Sequence, residues 1–271
     1  MQYCSYTPSS LLSKYIKCYW TLEDDCEMQV ANRERIFPDG SMELVFHYGD
    51  LFKKYDDKAG VFIQPRSFLH GQIKRFIDLE PTGRVGVFSV RFLPGGAYAF
   101  LRSDMDELAE RSISLEDLWG VDGLTLEEKM LGARSTSLRI HVIEEFFLRL
   151  LKTYDRSQNA IDHCVNLILN SESSIPVESL SEEVNLGRRQ LERKFTASVG
   201  LSPKLFTRII RFQRTLQLIE NASANSLTSV AYAHGFYDQS HFTKDFKEFT
   251  GLNPRQYFKT DLQFAKFLAL F

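Results

Sequence analysis

A pattern that occurs twice near the C-terminal end constrains this chain more than any other feature. Leu191-x-x-x-Phe195-x-x-x-x-Gly200-Leu201-x-Pro203 returns as Phe242-x-x-x-Phe246-x-x-x-x-Gly251-Leu252-x-Pro254, every matched position displaced by 51 residues. A repeat of fixed period marks one supersecondary unit used more than once. In each copy the apolar pair stands at i and i+4, on one face of a helix. Glycine then supplies a C-terminal stop, and proline opens the next segment. Upstream lie the apolar stretches Val177–Val184 and Leu227–Ala233, each followed by a turn, Asn185-Leu186-Gly187 and His234-Gly235-Phe236. Each unit reads as a short helix, a tight turn and a second helix.

The second helix of such a unit can enter a major groove. The positions left over from packing fit that use. The first copy offers Arg188, Arg189, Gln190, Glu192, Arg193 and Lys194, and the second Gln239, Ser240, His241, Thr243, Lys244 and Lys247. These side-chain types bond base edges and phosphates. One helical hairpin alone says little. A duplicated one with basic, amide-bearing outer faces points to double-stranded DNA. Between the copies, Pro203–Glu220 reads as a single linker helix buried through Leu205, Ile209, Leu216 and Ile219. At that length it spans about 27 Å, which can hold the two recognition helices about one DNA turn (~34 Å) apart.

The segments Leu191-Glu192-Arg193-Lys194-Phe195, Gly235–Lys247 (GFYDQSHFTKDFK) and Thr250–Tyr257 (TGLNPRQY) resemble the AraC/XylS family of bacterial transcription regulators, over roughly residues 160–259. The resemblance implies base contacts from Arg189, Glu192 and Arg193 in one helix. In the other it implies contacts from Gln239, Ser240, His241, Thr243 and Lys244, with Arg188 and Lys247 as further DNA-binding residues. Three positions depart from the family pattern. Gly187 stands where a serine usually caps the first recognition helix, Ser181 replaces an alanine, and Tyr237 replaces a small polar residue. Glycine at that cap costs only tenths of a kcal/mol.

The net charge of −2 hides an uneven distribution. Residues 1–170 carry 20 Lys and Arg against 25 Asp and Glu, whereas residues 171–260 carry 12 against 9. The polyanion partner therefore belongs to the C-terminal part. Cys4, Cys18, Cys26 and Cys164 show neither metal spacing nor a disulfide framework, which fits reduced thiols in the cytoplasm. The first residues lack the basic start and apolar run of a signal peptide, and no window has the length or apolarity of a membrane span. No cofactor, metal site or catalytic residue is expected.

The N-terminal half reads as β-rich. Tyr15–Leu22, Met42–Tyr48 and Val85–Phe92 have strand composition, with turns at Pro38-Asp39-Gly40 and Glu80–Gly83. An antiparallel barrel or sandwich of cupin-like kind is expected, with helical territory from Ala97 to about Tyr154. The fold class is thus α+β, a β-rich domain with helices followed by an all-α domain holding two helix-turn-helix motifs. Phe37–Gly40, His70-Gly71-Gln72 and Val90–Ala97 resemble an uncharacterised ligand-sensing-type domain that precedes the DNA-binding part in some regulators. That likeness brings no known ligand with it. The aromatic density suggests an apolar pocket in residues 15–92 lined by Tyr19, Trp20, Phe46, Phe62 and Phe88, with Trp20, Phe46 and Arg91 as ligand candidates. Arg91 ahead of Gly95-Gly96 fits either an anion site or an ordinary strand-to-helix turn. Glu43, His47 and His70 could be metal ligands of a cupin-like enzyme, but no further histidine lies nearby. A helical half that binds protein rather than DNA is a third reading.

Leu138, Val142, Ile143, Phe146, Phe147, Leu150, Leu151 and Tyr154 form an apolar stripe at helical spacing. A stripe of this kind is either core or, as members of the resembled family use helices at this position, a homodimer interface. The expected layout is a sensing and dimerisation domain over 1–157, a DNA-binding domain over 158–260 and an apolar tail over 261–271. Its partners would be DNA, a small-molecule effector and RNA polymerase.

Overall fold

The computed structural model describes residues 1–24, 33–56, 60–153, 159–171, 175–221 and 239–257. Among the described residues, ten strands fill the first part. They are β1 (Gln2–Tyr6), β2 (Ile16–Asp24), β3 (Glu34–Ile36), β4 (Glu43–His47), β5 (Phe52–Asp56), β6 (Gly60–Ile63), β7 (Ser67–His70), β8 (Ile77–Pro81), β9 (Val85–Phe92) and β10 (Ser112–Ser114). Two antiparallel sheets result, one in the order β1-β2-β9-β4-β7-β10 and the other β3-β8-β5-β6. The expected strands are all present. The territory after Ala97 is not wholly helical, because short 3-10 turns at Gly96–Phe100 and Met105–Leu108 precede β10. Ser112-Ile113-Ser114 pairs with the edge of β7 and buries only Ile113, a short alternation too slight to see in a helical neighbourhood.

Every residue of β9 is buried, so the larger sheet is covered on both faces. Period-two alternation then assigns each side chain. Phe88, Val90 and Phe92 join Tyr19, Leu44, Phe46 and Leu69 in the main core, against helices α1 (Leu115–Trp119), α2 (Val121–Gly132) and α3 (Thr136–Leu151). Val85 and Val87 turn the other way with Cys18, Trp20 and Leu22, toward the smaller sheet. This parity corrects the expected pocket lining. Tyr19, Phe46 and Phe88 belong to the helix-facing core, and Phe62 sits on the edge strand β6, 48% exposed.

Helix α3 is capped by Ser135, whose hydroxyl accepts from the Leu138 amide. Its stripe serves mainly the domain's own core. Phe147 packs at 4.5 Å from the Phe100 ring centroid and Phe146 at 5.1 Å from Trp119. Leu138 remains outside, 46% exposed.

The second part comprises α4 (Asn159–Asn170), α5 (Val177–Glu183), α6 (Arg188–Val199), α7 (Pro203–Asn221), α8 (Gln239–Thr250) and α9 (Pro254–Tyr257). Its core gathers Ile161, Cys164, Leu180, Leu191, Phe195, Phe206, Ile209, Phe212, Phe242 and Phe246. Arg214 of α7 donates to the carbonyls of Ile168, Leu169 and Ser171, closing the C-terminal end of α4. No helix among the described residues is long and apolar enough to cross a membrane. Cys4, Cys18 and Cys164 are free thiols, and Cys26 lies outside the described residues.

Candidate functional site

The first helix-turn-helix forms as its sequence predicts. The turn between α5 and α6 places Asn185 at φ 51, a left-handed position that asparagine tolerates. One of the departures from the family pattern finds a local explanation, and nothing in the structure explains Gly187. Ser181 donates its hydroxyl across this turn to the Leu186 carbonyl, a bond that alanine could not make. Gly187 stands at the start of α6 without a side-chain cap. Leu191, Phe195 and Val199 bury the inner face of α6, which leaves Arg189, Gln190, Arg193 and Lys194 exposed and Glu192 half-buried. Arg188 is exposed too, and its guanidinium is engaged by Glu178 of α5 and Glu192 one turn on. Arg189 and Arg193 share a cleft with Lys204 and with Asp104 and Asp106 of the N-terminal part.

In the second motif the first helix and turn, residues 227–236, lie outside the described residues, as do Tyr237 and the tail. Gln239, Ser240 and His241 open α8. Beyond them Thr243 is half-buried, while Lys244 and Lys247 are exposed opposite the buried Phe242, Phe246 and Phe249. Between these outer and inner faces stands Asp245, 1% exposed. It accepts from Arg208 and Arg211 of α7, each at 2.8 Å, and Arg208 also reaches Glu248 at 2.7 Å. This ionic clamp fixes α8 against the linker helix. Sequence reasoning did not single it out; the signal was Asp245, an acidic residue between the apolar Phe242 and Phe246.

A second constellation lies between the sheets. The residues of opposite parity on the larger sheet (Trp20, Leu22, Glu43, Val45, His47, Phe68, His70, Val87, Arg91) face Ile36, Phe52, Ile77 and Leu79 of the smaller one across a chamber of about 110 Å³. Of the sequence candidates, Trp20 and Arg91 line it and Phe46 does not. Arg91 is not free to serve an anion at the Gly95-Gly96 turn. Its guanidinium lies 2.8 Å from Asp39 and 2.9 Å from Glu43, its cross-strand neighbour. Burial opposes its charge, and the two carboxylates more than offset that, so Arg91 is held above its ordinary pKa. Glu43 also accepts from Ser89 at 2.9 Å. Burial raises its pKa and outweighs the lowering effect of Arg91.

His47 and His70 are pushed down to about 4, chiefly by burial, with Arg66 and Lys54 respectively adding to the shift. Both rings are therefore neutral near pH 7. Gln64 opposes the shift at His47 without reaching hydrogen-bond geometry, and neither His47 nitrogen nor Nε2 of His70 meets a partner. Glu43, His47 and His70 all line the chamber, yet no three such side chains among the described residues are grouped to hold a metal ion.

Two segments of the chamber wall also grip the helical part. In Phe37-Pro38-Asp39-Gly40, Asp39 faces Arg91 while Phe37 is buried in the helical core beside Phe212 and Tyr257. The Pro38 carbonyl accepts from Gln213 at 2.7 Å, and Gly40 lies so close to Phe206 that a β-carbon would meet the ring at 2.7 Å. The second segment follows β7. Gly71 and Ile73 line the chamber, Gln72 donates to the Gly40 carbonyl at 2.8 Å and abuts Gly200 at the end of α6, and Phe76 abuts Gly251 at the end of α8. Arg35 stacks over Phe76, pairs with Asp78 and donates to the Thr250 carbonyl at 2.9 Å. The ends of both recognition helices thus pack against residues adjacent in sequence to the chamber lining.

Comparison with known proteins gives a match within each part. Residues 4–114 match a domain of unknown function, DUF6597, and residues 180–260 match a helix-turn-helix domain. An uncharacterized HTH-type transcriptional regulator of Haemophilus influenzae is 32% identical over 86% of this chain and 91% of its own length. The Msm operon regulatory protein of Streptococcus mutans is 30% identical over 50% of this chain. The match spans 49% of that relative, and still less of several others. Among solved structures, ToxT from Vibrio cholerae aligns with a TM-score of 0.48 at 16% identity, over 84% of this chain and 97% of that one. With the first motif formed, its second helix matched by α8, and a relative of the same kind aligned over most of both chains, the chain belongs to the AraC family of helix-turn-helix transcriptional regulators.

Proposed function

We propose that this chain binds DNA sequence-specifically and regulates transcription, with α6 and α8 entering two successive major-groove segments and the chamber between the sheets acting as the sensor. The observation that carries the reading is the two-sided character of α6. Its apolar face is consumed by the core, while Arg189, Gln190, Arg193 and Lys194 are left to solvent on a helix braced at its C-terminal end. Arg189 and Arg193 favour guanine through O6 and N7, Gln239 favours adenine, and Lys244 and Lys247 serve the second segment. Glu192, Ser240, His241 and Thr243 complete the reading surface, and Arg188, held by two carboxylates, has a phosphate-facing role. An effector in the chamber displaces the wall segments, and these shift the ends of the recognition helices. In this role the chain works in the cytoplasm as a homodimer, with RNA polymerase as a further partner.

Selection of bound sequences from a random pool tests the assignment. Arg189→Ala and Arg193→Ala should each weaken binding by about 1–3 kcal/mol and relax preference in one half of the site. Lys247→Ala should weaken all sequences alike. Arginine variants that lose affinity with base preference unchanged would refute direct readout by α6.

A further inference from the structure

The chamber carries enough chemistry to say what it takes. Its charged lining consists of one guanidinium, Arg91, and two carboxylates, Asp39 and Glu43. Asp39 is held in place by the Ser41 amide at 2.9 Å, and Glu43 by Ser89. Carboxyl groups therefore outnumber guanidinium groups in the lining two to one. Lys17, Lys54 and Arg66 act on these groups from nearby, but none of the three lines the chamber. The walls add the aromatic faces of Trp20, Phe52 and Phe68, and such faces attract cations. The neutral rings of His47 and His70 keep lone pairs that can accept from an N–H donor, and no protein donor uses them at His47 or at Nε2 of His70. The volume sets the size. At about 110 Å³ the chamber is smaller than the ~150 Å³ cavity that accommodates benzene.

We propose that the chamber selects a small organic cation, an ammonium head on an apolar body no larger than a benzene ring. This rests on the chamber being the sensor. A carboxylate ligand of the same shape would meet a guanidinium already flanked by two carboxyl groups and would bring a third into a buried space. An ammonium head supplies the missing positive charge to Glu43 and Asp39, donates to a histidine and packs its body against the aromatic walls.

Matched probes test the charge class with the full chain. Isobutylamine and cyclopentylamine are compared with isobutanol and cyclopentanol, and with isobutyrate and cyclopentanecarboxylate, each at millimolar concentration. Binding is read by thermal unfolding and by Trp20 fluorescence in a Trp119→Phe background. The amines should raise the unfolding temperature by about 2–4 °C and move Trp20 emission, binding at least tenfold more tightly than the matched acids. Glu43→Gln should reduce that preference, although the assignment stands on the unaltered lining alone. Equal or tighter binding of the acids or alcohols, with a Trp20 response, overturns the cation assignment and leaves the sensor reading standing. Silence from all three classes, with Trp20 emission unmoved, overturns both.

Discussion

Two of the arginine–carboxylate clusters among the described residues are near mirror images of each other. Between α7 and α8 one carboxylate, Asp245, is held by two guanidiniums, with Phe212, Phe246 and Phe249 packed close by. Between the sheets one guanidinium, Arg91, is held by two carboxylates, with open volume beside it. The first arrangement satisfies its central charge from both sides and leaves little to vary, so it acts as a fixed joint. The second leaves Nη1 of Arg91, both nitrogens of His47 and Nε2 of His70 without partners, so it retains unmet bonding capacity beside a space. The same side-chain types make a clamp where the surroundings are filled and a binding site where they are not.

Substitution at Asp245 gives the largest expected effect. Asp245→Asn should destabilise the chain by about 3–5 kcal/mol in urea unfolding, because Arg211 loses this counter-charge in a buried joint and Arg208 keeps only Glu248. A loss below about 1 kcal/mol would show that the clamp is solvated and would erase its contrast with the chamber.

The pH dependence of stability should come next. His47 and His70 have folded pKa values of about 4, below the ordinary value of 6.5. The unfolded chain therefore binds more protons between these values. The stabilisation is complete above about pH 6.5, and it falls as the pH drops toward 4, by about 2 kcal/mol per histidine at pH 5. Glu43, raised by burial, acts in the opposite sense as the pH rises past its ordinary range. Denaturation series at pH 7 and pH 5 check the slope, and His47→Phe should make it shallower.

The smallest effect is expected at Glu43. Since burial already disfavours its charge, Glu43→Gln should change stability by less than about 1 kcal/mol at pH 7 while altering what the chamber accepts. A loss as large as that of Asp245→Asn would make the two clusters equivalent, both structural.

Much of the helical part was legible because local signals and the repeat agreed. Pro203 at the first turn of α7, Gly200 and Gly251 at φ 83 and 71, and the i, i+4 pairs each fixed one boundary, and together they fixed the motif. In the N-terminal half three strands, β2, β4 and β9, were legible from composition and alternation, and the others were not. The faces of those three were not legible either. In β2, β4 and β9 both parities are apolar enough to be buried, so composition could not say whether Phe46 or Val45 faces the chamber. That choice depends on which layer covers which face, and only the packed helices and the second sheet decide it. Charges gave the better clue. Glu43, His47 and Arg91 share one face of otherwise apolar strands, and a polar row of that kind requires a polar destination.

Phe37 has a consequence for how such proteins can be divided. It belongs by sequence to the strand-rich half, more than a hundred residues before α4, yet it fills part of the helical core beside Phe212 and Tyr257. The boundary in the chain is therefore not the boundary in space. A helical fragment cut out after residue 158 would carry a hole where this ring sat. Recombination between relatives is constrained likewise: a transplanted sensor must bring a residue at this position that fits the recipient's core. Such partners inherit their halves together or adjust this one contact.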